Sequence, residues 1–184
     1  MEGISDDEWS IFSGFRFLTL KPLLVVLNVE ESQVAAAPAP ELATYVKERK
    51  VGLVQLSAKV EQDIAQMSPE DQKEFVSALG LTEPAKDRFI HAAFALLDLI
   101  SFLTAGPDEC RAWPIRRGTV ARKAAGKVHS DIERGFIRAE VYRPEDLEQV
   151  GGSEAALKPK GLLRVEGKDY VMQDGDVVNF RFNV

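Results

Sequence analysis

At 184 residues the chain has room for one large domain or two small ones, and its 45% hydrophobic and 28% charged residues suit a soluble protein with a packed core and exclude disorder throughout. The one cysteine, Cys110, excludes a disulfide framework within the chain and suits a reducing compartment, and with only two histidines, far apart, no structural zinc site or other metal site is expected. The net charge of −6 is uneven: residues 1–104 hold 9 basic and 16 acidic side chains (−7) and residues 105–184 hold 14 and 13 (+1), so the two stretches are expected to differ in role.

The opening Met-Glu-Gly-Ile-Ser-Asp-Asp-Glu is acidic and lacks the basic and apolar parts of a signal peptide. No stretch approaches the ~20 apolar residues of a membrane span; the most apolar, around Ala92 to Leu103, is broken by Asp98. A cytoplasmic chain with no membrane contact is expected. Ser5-Asp6-Asp7-Glu8 can cap a short helix that carries Trp9, Phe12 and Phe15 near one face. Met1 falls where that helix would already be running, so the chain reads as part of something longer.

Leu23 to Leu27 has no polar alternation, the pattern of a parallel strand covered on both faces. Ala35-Ala36-Ala37-Pro38-Ala39-Pro40 must be a loop, because its prolines forbid a continuous helix. Glu41 to Lys50 reads as a helix and Val51 to Leu56 as a second buried strand that runs out at Ser57-Ala58-Lys59. Ser68-Pro69-Glu70-Asp71 supplies a capping hydroxyl, a first-turn proline and first-turn acids, and Gly80 the stop. Asp87 to Ser101 is expected to be helical, with Ile90, Ala93, Phe94 and Leu97 along its burying face.

After Thr104-Ala105-Gly106-Pro107 short strands take over. Cys110 to Ile115 reads as a strand, Thr119 to Lys127 as a helix, and Phe136 to Arg143 alternates with Ile137, Ala139 and Val141 on one face. Hairpins are expected at Glu166-Gly167-Lys168 and Gln173-Asp174-Gly175, before Val178, Phe180 and Phe182 alternate to the end. The first stretch is thus half of a Rossmann-like α/β sheet, and the second fits a small mixed sheet with a helix across it, a β-grasp layout.

Open α/β sheets bind ligands at the carboxyl ends of their strands, where this chain has Asn28-Val29-Glu30-Glu31 and Ser57-Ala58-Lys59. An asparagine amide both donates and accepts, enough to read a purine edge, and a carboxylate three positions on selects a base that donates. The lysine stem of Lys59 can pack over a ring face. Asn28 and Glu31 equally suit a turn that binds nothing.

These two strand-to-loop steps, together with "LISFLTAGPDECRAWPIRRGT", "AAGKVHSDIERGFIRAEV" and "GKDYVMQDGDVVNFRFNV", closely resemble the carboxyl-terminal half of the YchF family of Obg-related P-loop nucleotidases. The resemblance covers nearly the whole chain and is most specific in the last eighty or so residues; the Ala-Pro loop departs from it. It implies an incomplete nucleotidase end over residues 1–100, joined to a TGS-like β-grasp domain over 101–184. The family carries Asn-x-x-Glu in place of Asn-Lys-x-Asp and is associated with ATP preference over GTP. By that resemblance Asn28 and the Val29 backbone contact the base, Glu31 helps set its identity, and Ser57, Ala58 and Lys59 form the second base loop. It also implies a ribosomal partner, through the large subunit or its RNA, and no DNA.

The chain has no Gly-x-x-x-x-Gly-Lys-Ser/Thr to hold phosphates and place a hydroxyl on magnesium; near Gly126-Lys127, Ala121 and Val128 stand where the first glycine and the hydroxyl belong. No Asp-x-x-Gly precedes the first strand. The expectation is therefore a chain that neither binds ATP or GTP tightly nor hydrolyses it alone, with magnesium held only alongside a complementary amino-terminal half. Its incomplete sheet would also favour self-association. The alternative is a free-standing RNA- or protein-binding module with vestigial nucleotide loops.

Six basic residues, Arg111, Arg116, Arg117, Arg122, Lys123 and Lys127, with no acid among them and Trp113 between, suit phosphate contacts to ribosomal RNA or a solvated face. His129-Ser130-Asp131 cannot converge as a catalytic triad and reads as a cap. His91 reads as a packed or surface histidine, and Cys110 as a small, partly buried hydrophobe or, as suggested for the family, a redox-sensitive thiol.

Overall fold

The computed structural model of the protein describes residues 14–15, 17–49, 51–106 and 109–183. The chain divides into two compact units, Met1–Leu97 and Asp98–Val184. The helix expected through Trp9 and Phe12 lies outside the described residues.

In the first unit β1 (Leu24–Asn28) and β2 (Gly52–Leu56) pair in parallel, in register from Leu24 opposite Gly52 to Asn28 opposite Leu56. They are joined by the Ala-Pro loop and helix α1 (Pro40–Arg49). Gln55 fastens that loop, its Nε2 donating to the carbonyls of Gln33 (2.6 Å) and Ala36 (2.8 Å). Helices α2 (Ala58–Ile64), α3 (Pro69–Ala78) and α4 (Ala85–Leu96) follow. The start of α3 is as expected: Ser68 Oγ accepts from the Asp71 N–H, and Gly80, at φ +72°, takes the left-handed turn at its end. Val60, Ile64 and Val76 form a small core between α2 and α3.

Three expectations fail in whole or in part in this unit. β1 is not covered on both faces: Val26 is 45% exposed, because β1 has one strand neighbour among the described residues and α4 packs mainly on β2. Nor does the fourth helix run from Asp87 to Ser101. It ends at Leu96, and Asp98, at φ +52°, turns the chain into a strand. The predicted stripe holds only in its middle: Ala93 and Phe94 are half-buried, but Ile90 and Leu97 are exposed, while Ala85 is buried and Leu96 approaches Gly52 of β2.

The second unit is a five-stranded mixed sheet. Its strands are β3 (Leu99–Ala105), β4 (Cys110–Arg116), β5 (Phe136–Tyr142), β6 (Arg164–Glu166) and β7 (Val177–Phe182), in the spatial order β4-β3-β7-β5-β6. β3 runs antiparallel to β4 and parallel to β7; β5 runs antiparallel to both β6 and β7. Helix α5 (Ala121–Val128), followed by α6 (Ser130–Arg134), lies on one face. There Ala121, Ala124 and Ala125 let the helix backbone settle onto Ile100, Phe102, Ile115, Ala139, Val141 and Phe180. Two short helices, α7 (Pro144–Gln149) and α8 (Glu154–Leu157), close a second cluster around Tyr142, Leu157 and Val177.

Asp176 fixes the entry to β7. Fully buried, it accepts from Tyr170 Oη (2.9 Å), the Gln173 N–H (2.9 Å) and Arg164 Nη2 (3.1 Å), while its own carbonyl accepts from the Leu103 N–H (2.8 Å). A buried carboxylate is stable only when paired and hydrogen-bonded in this way.

Three readings of this unit change. Ile137 leaves the predicted inward face: a register shift between Phe136 and Arg138 bulges the strand there, and Ile137 is 56% exposed. Neither glycine turn makes a hairpin. After β6 the chain crosses to a bridge between Val120 and Val171, and the turn at Gln173–Gly175 leads β7 between β3 and β5. Cys110 is exposed, not partly buried, because it opens the outermost strand.

Candidate functional site

The equal lengths and parallel register of β1 and β2 end both strands at one level, so the two loops that follow are neighbours. They are also bonded. Asn28 Oδ1 accepts from the Ala58 N–H at 3.0 Å, and the Val29 N–H donates to the Leu56 carbonyl at 2.8 Å. With its carbonyl oxygen engaged, the exposed Asn28 keeps its amide group as a donor pointing out of the loop pair. Glu31 is exposed and starts a short 3-10 turn, Glu31–Gln33. Ser57 is buried and precedes α2, and Ala58 and Lys59 are exposed in its first turn. The strand pair thus carries an exposed amide, an exposed carboxylate and an exposed lysine in the two loops at one end.

The six basic residues do not form one surface. Arg111 and Arg116 lie five positions apart on β4 and so point to opposite faces of the sheet. Arg111 stacks its guanidinium 4.3 Å from the centre of the Trp113 ring, on the side of the helices, and Trp113 Nε1 donates to Thr104 Oγ1. Arg117 pairs with Asp98 (3.2 Å) and Lys123 with Glu133 (2.7 Å). Arg122 Nε donates to the Glu133 carbonyl, and Lys127 is exposed on the outer side of α5. His129 is the cap its position suggests, Nδ1 accepting from the Asp131 N–H at 3.1 Å. His91 is a surface side chain 3.4 Å from Glu83.

A groove of about 720 Å³ on the sheet face away from α5 went unnoticed in the sequence. Its centre is Glu140, held by Arg181 (2.9 Å) and Arg138 (3.1 Å). The Arg181 hydrogen bond, aided by that of Arg138 against an opposing effect of burial, keeps the Glu140 carboxyl below its ordinary range. At the groove's end Tyr142 donates to Glu154 at 2.6 Å, and burial followed by that bond pushes the phenol far up, so it stays a neutral donor. Arg138-x-Glu140 on one strand face was the readable part of this group; Arg181, forty-one residues on, was not. Among the described residues no cluster of histidine, cysteine or acids could hold a metal ion, and no helix is long and apolar enough to cross a membrane.

Comparison with known proteins gives a consistent result. The family model YchF-GTPase_C, a protein of unknown function (DUF933), matches residues 99–183. The chain is 41% identical over 184 residues to the ribosome-binding ATPase YchF of Bacillus subtilis, covering 98% of this chain and 50% of that protein. It is 43% identical over 183 residues to the ribosome-binding ATPase YchF of Escherichia coli O157:H7, covering 98% and 50%, and 38% identical to Obg-like ATPase 1 of Gallus gallus, covering 97% and 46%. The chain thus spans about half the length of these relatives. Its fold superposes on the Schizosaccharomyces pombe YchF GTPase with a TM-score of 0.80 at 28% identity, over 96% of this chain and 48% of that one. A GTP-binding protein from Pyrococcus horikoshii OT3 shares the fold (TM-score 0.63, 18% identity, 97% and 51% covered). By sequence and by fold, this chain corresponds to the carboxyl-terminal half of the YchF family.

Proposed function

We propose that the first unit is the base-reading end of a P-loop nucleotidase domain and the second a TGS-like β-grasp domain, together serving a cytoplasmic, ribosome-associated ATP- or GTP-binding protein. The observation that carries this reading is the Asn28–Ala58 hydrogen bond across two strands in register, which sets the Asn-x-x-Glu and Ser-Ala-Lys loops side by side. In this role Asn28 and the Val29 backbone meet the base, Glu31 selects it, and Ser57, Ala58 and Lys59 close the other side. The phosphates and magnesium are held by a complementary amino-terminal half, since this sequence has no Gly-x-x-x-x-Gly-Lys-Ser/Thr. Most nucleotide affinity comes from charge-assisted bonds to phosphate. The chain alone is therefore expected to show neither micromolar ATP binding nor hydrolysis in calorimetric and phosphate-release assays.

A chimera joining the amino-terminal half of the Bacillus subtilis relative to this chain is expected to bind ATP, and Asn28→Ala in it to weaken binding about tenfold, the ~1.4 kcal/mol of one good hydrogen-bonding group. Micromolar binding by the chain alone would overturn the division of labour. Unchanged affinity in the Asn28→Ala chimera would overturn the base reading.

A second reading, an RNA- or protein-binding module with vestigial nucleotide loops, draws on the separate core of the second unit and on four strip cations, Arg111, Arg116, Arg122 and Lys127, that lack an ion-pair partner among the described residues.

A further inference from the structure

We propose that the pocket beneath the Ala-Pro loop is a carboxylate-binding site with Arg88 as its receptor. Arg88 stands on α4, and its Nε and Nη2 are both closed to solvent and without a hydrogen-bond acceptor among the described residues. These two donors lie on one edge of the guanidinium, the planar fork that takes both oxygens of a carboxylate at once. Arg88 as a whole is half-buried, but two N–H groups shut away from water without an acceptor are costly, and the acceptor that matches such a fork is a carboxylate. The nearby chain does not supply it. Glu61, the acid that reaches the start of α4, has Oε1 on the Ala85 N–H (3.0 Å), and Arg88 takes part in no ion pair among the described residues.

The adjoining pocket, about 330 Å³, says which anion. Its walls are Val34, Ala36, Pro38, Leu53 and Leu81; beside Arg88 its one polar side chain is Gln55, whose amide nitrogen is committed to the loop carbonyls. A dianionic phosphate would want further donors or a second cation, and neither side chain of that kind lines the cavity. One fork, in walls shared between apolar side chains and the backbone of the loop and of Gly80, suits a monocarboxylate on a small body, with room for roughly ten non-hydrogen atoms at the ~30 Å³ that a water occupies in the liquid. Nε and Nη2 are closed to solvent, so a ligand in the pocket reaches them only when the packing around Arg88 opens. None of Asn28, Glu31 and Ser57–Lys59 lines the pocket, so the inference stands apart from the base reading.

The carboxylate has two possible sources: a free small molecule, or an Asp or Glu side chain from the polypeptide that makes up the other half of the relatives' length. The test follows the Arg88 Nε–H resonance in nitrogen-15 spectra of the intact chain, assigned with Arg88→Lys. 4-Methylpentanoate is expected to shift it saturably and 4-methylpentanamide to leave it unmoved; followed through the backbone amides of Val34, Leu53 and Leu81, which line the pocket, Arg88→Lys, which keeps the charge and loses the fork, is expected to bind the acid at least about tenfold more weakly. Equal effects of acid and amide, or no effect of the acid at millimolar concentration, would overturn the proposal; this comparison uses the unaltered chain and stands even if Arg88→Lys fails to fold. Repeating the titration on the chimera separates the sources. A resonance already displaced and insensitive to added acid means a side chain from the other half fills the fork, and a resonance still titrated by the acid means a free ligand does.

Discussion

Glu140 occupies the middle of a small electrostatic device, with Arg181 on one side and Arg138 on the other, and its carboxyl is held below its ordinary range chiefly by the Arg181 hydrogen bond. The folded state therefore releases this proton more readily than the unfolded one, and the stability so gained is complete above the unfolded carboxyl range and lost as pH falls through the lowered folded value. Glu140→Gln is expected to destabilise the chain by about 1 kcal/mol at pH 7, read from denaturant midpoints, because the two arginines are half exposed and solvent screens them. The difference from the unaltered chain should close in acid. A deficit that is the same at pH 3 as at pH 7 would show that the substitution acts through packing and not through charge. Half of this group was readable beforehand, since Arg138 and Glu140 sit two apart on one strand; the other half depended on a pairing between β5 and β7 that no local pattern encodes.

The same division between local and distant causes runs through the secondary structure. Helix α3 was readable residue by residue, because Ser68, Pro69 and Gly80 each act within a turn of the position they determine. The α4–β3 boundary was not. Apolar side chains from Ala92 to Leu103 satisfy a helical and a strand period alike, and the choice is made by β4 and β7, which flank β3 and bury Ile100 and Phe102 in alternation. The bulge at Ile137 has a similar origin in its pairing with β7. The closeness of the two candidate base loops was foreseeable for the opposite reason, as two short parallel strands of equal length must end together. The turn between α6 and β5 joins both kinds of cause. A Cβ on Gly135 would collide with the backbone carbonyl of Asn183, whose N–H donates to the Gly135 carbonyl at 2.9 Å. Backbone cannot give way as a flexible side chain does, so Gly135→Ala is expected to cost about 2 kcal/mol in the second unit. A melting temperature unchanged by the substitution would refute the close approach.

For the whole molecule, charge and topology set different limits. Residues 105–184 are net +1 against −7 for residues 1–104, so any attraction for nucleic acid is a local property of the strip and not of the chain's field. Of its four cations without ion pairs, Arg111 and Arg116 face opposite sides of the sheet, and at most three can meet one strand. At a slope of about −0.7 per phosphate contact on single strands, RNA affinity should fall with a log-log salt slope near −2; binding indifferent to salt would exclude the strip as an RNA surface. In the first unit, the two-stranded sheet leaves Leu23, Val26, Phe89 and Ile90 exposed, a surface suited to cover by further polypeptide or by a second copy. The place of β7 has a consequence in time. It is the central strand of its sheet and the last of its unit to leave the ribosome, so the nascent segment from Leu99 onward cannot close its core while it is being made. Closure of the second unit waits on β7, and a chain cut before Val177 would leave that unit unfolded rather than merely trimmed.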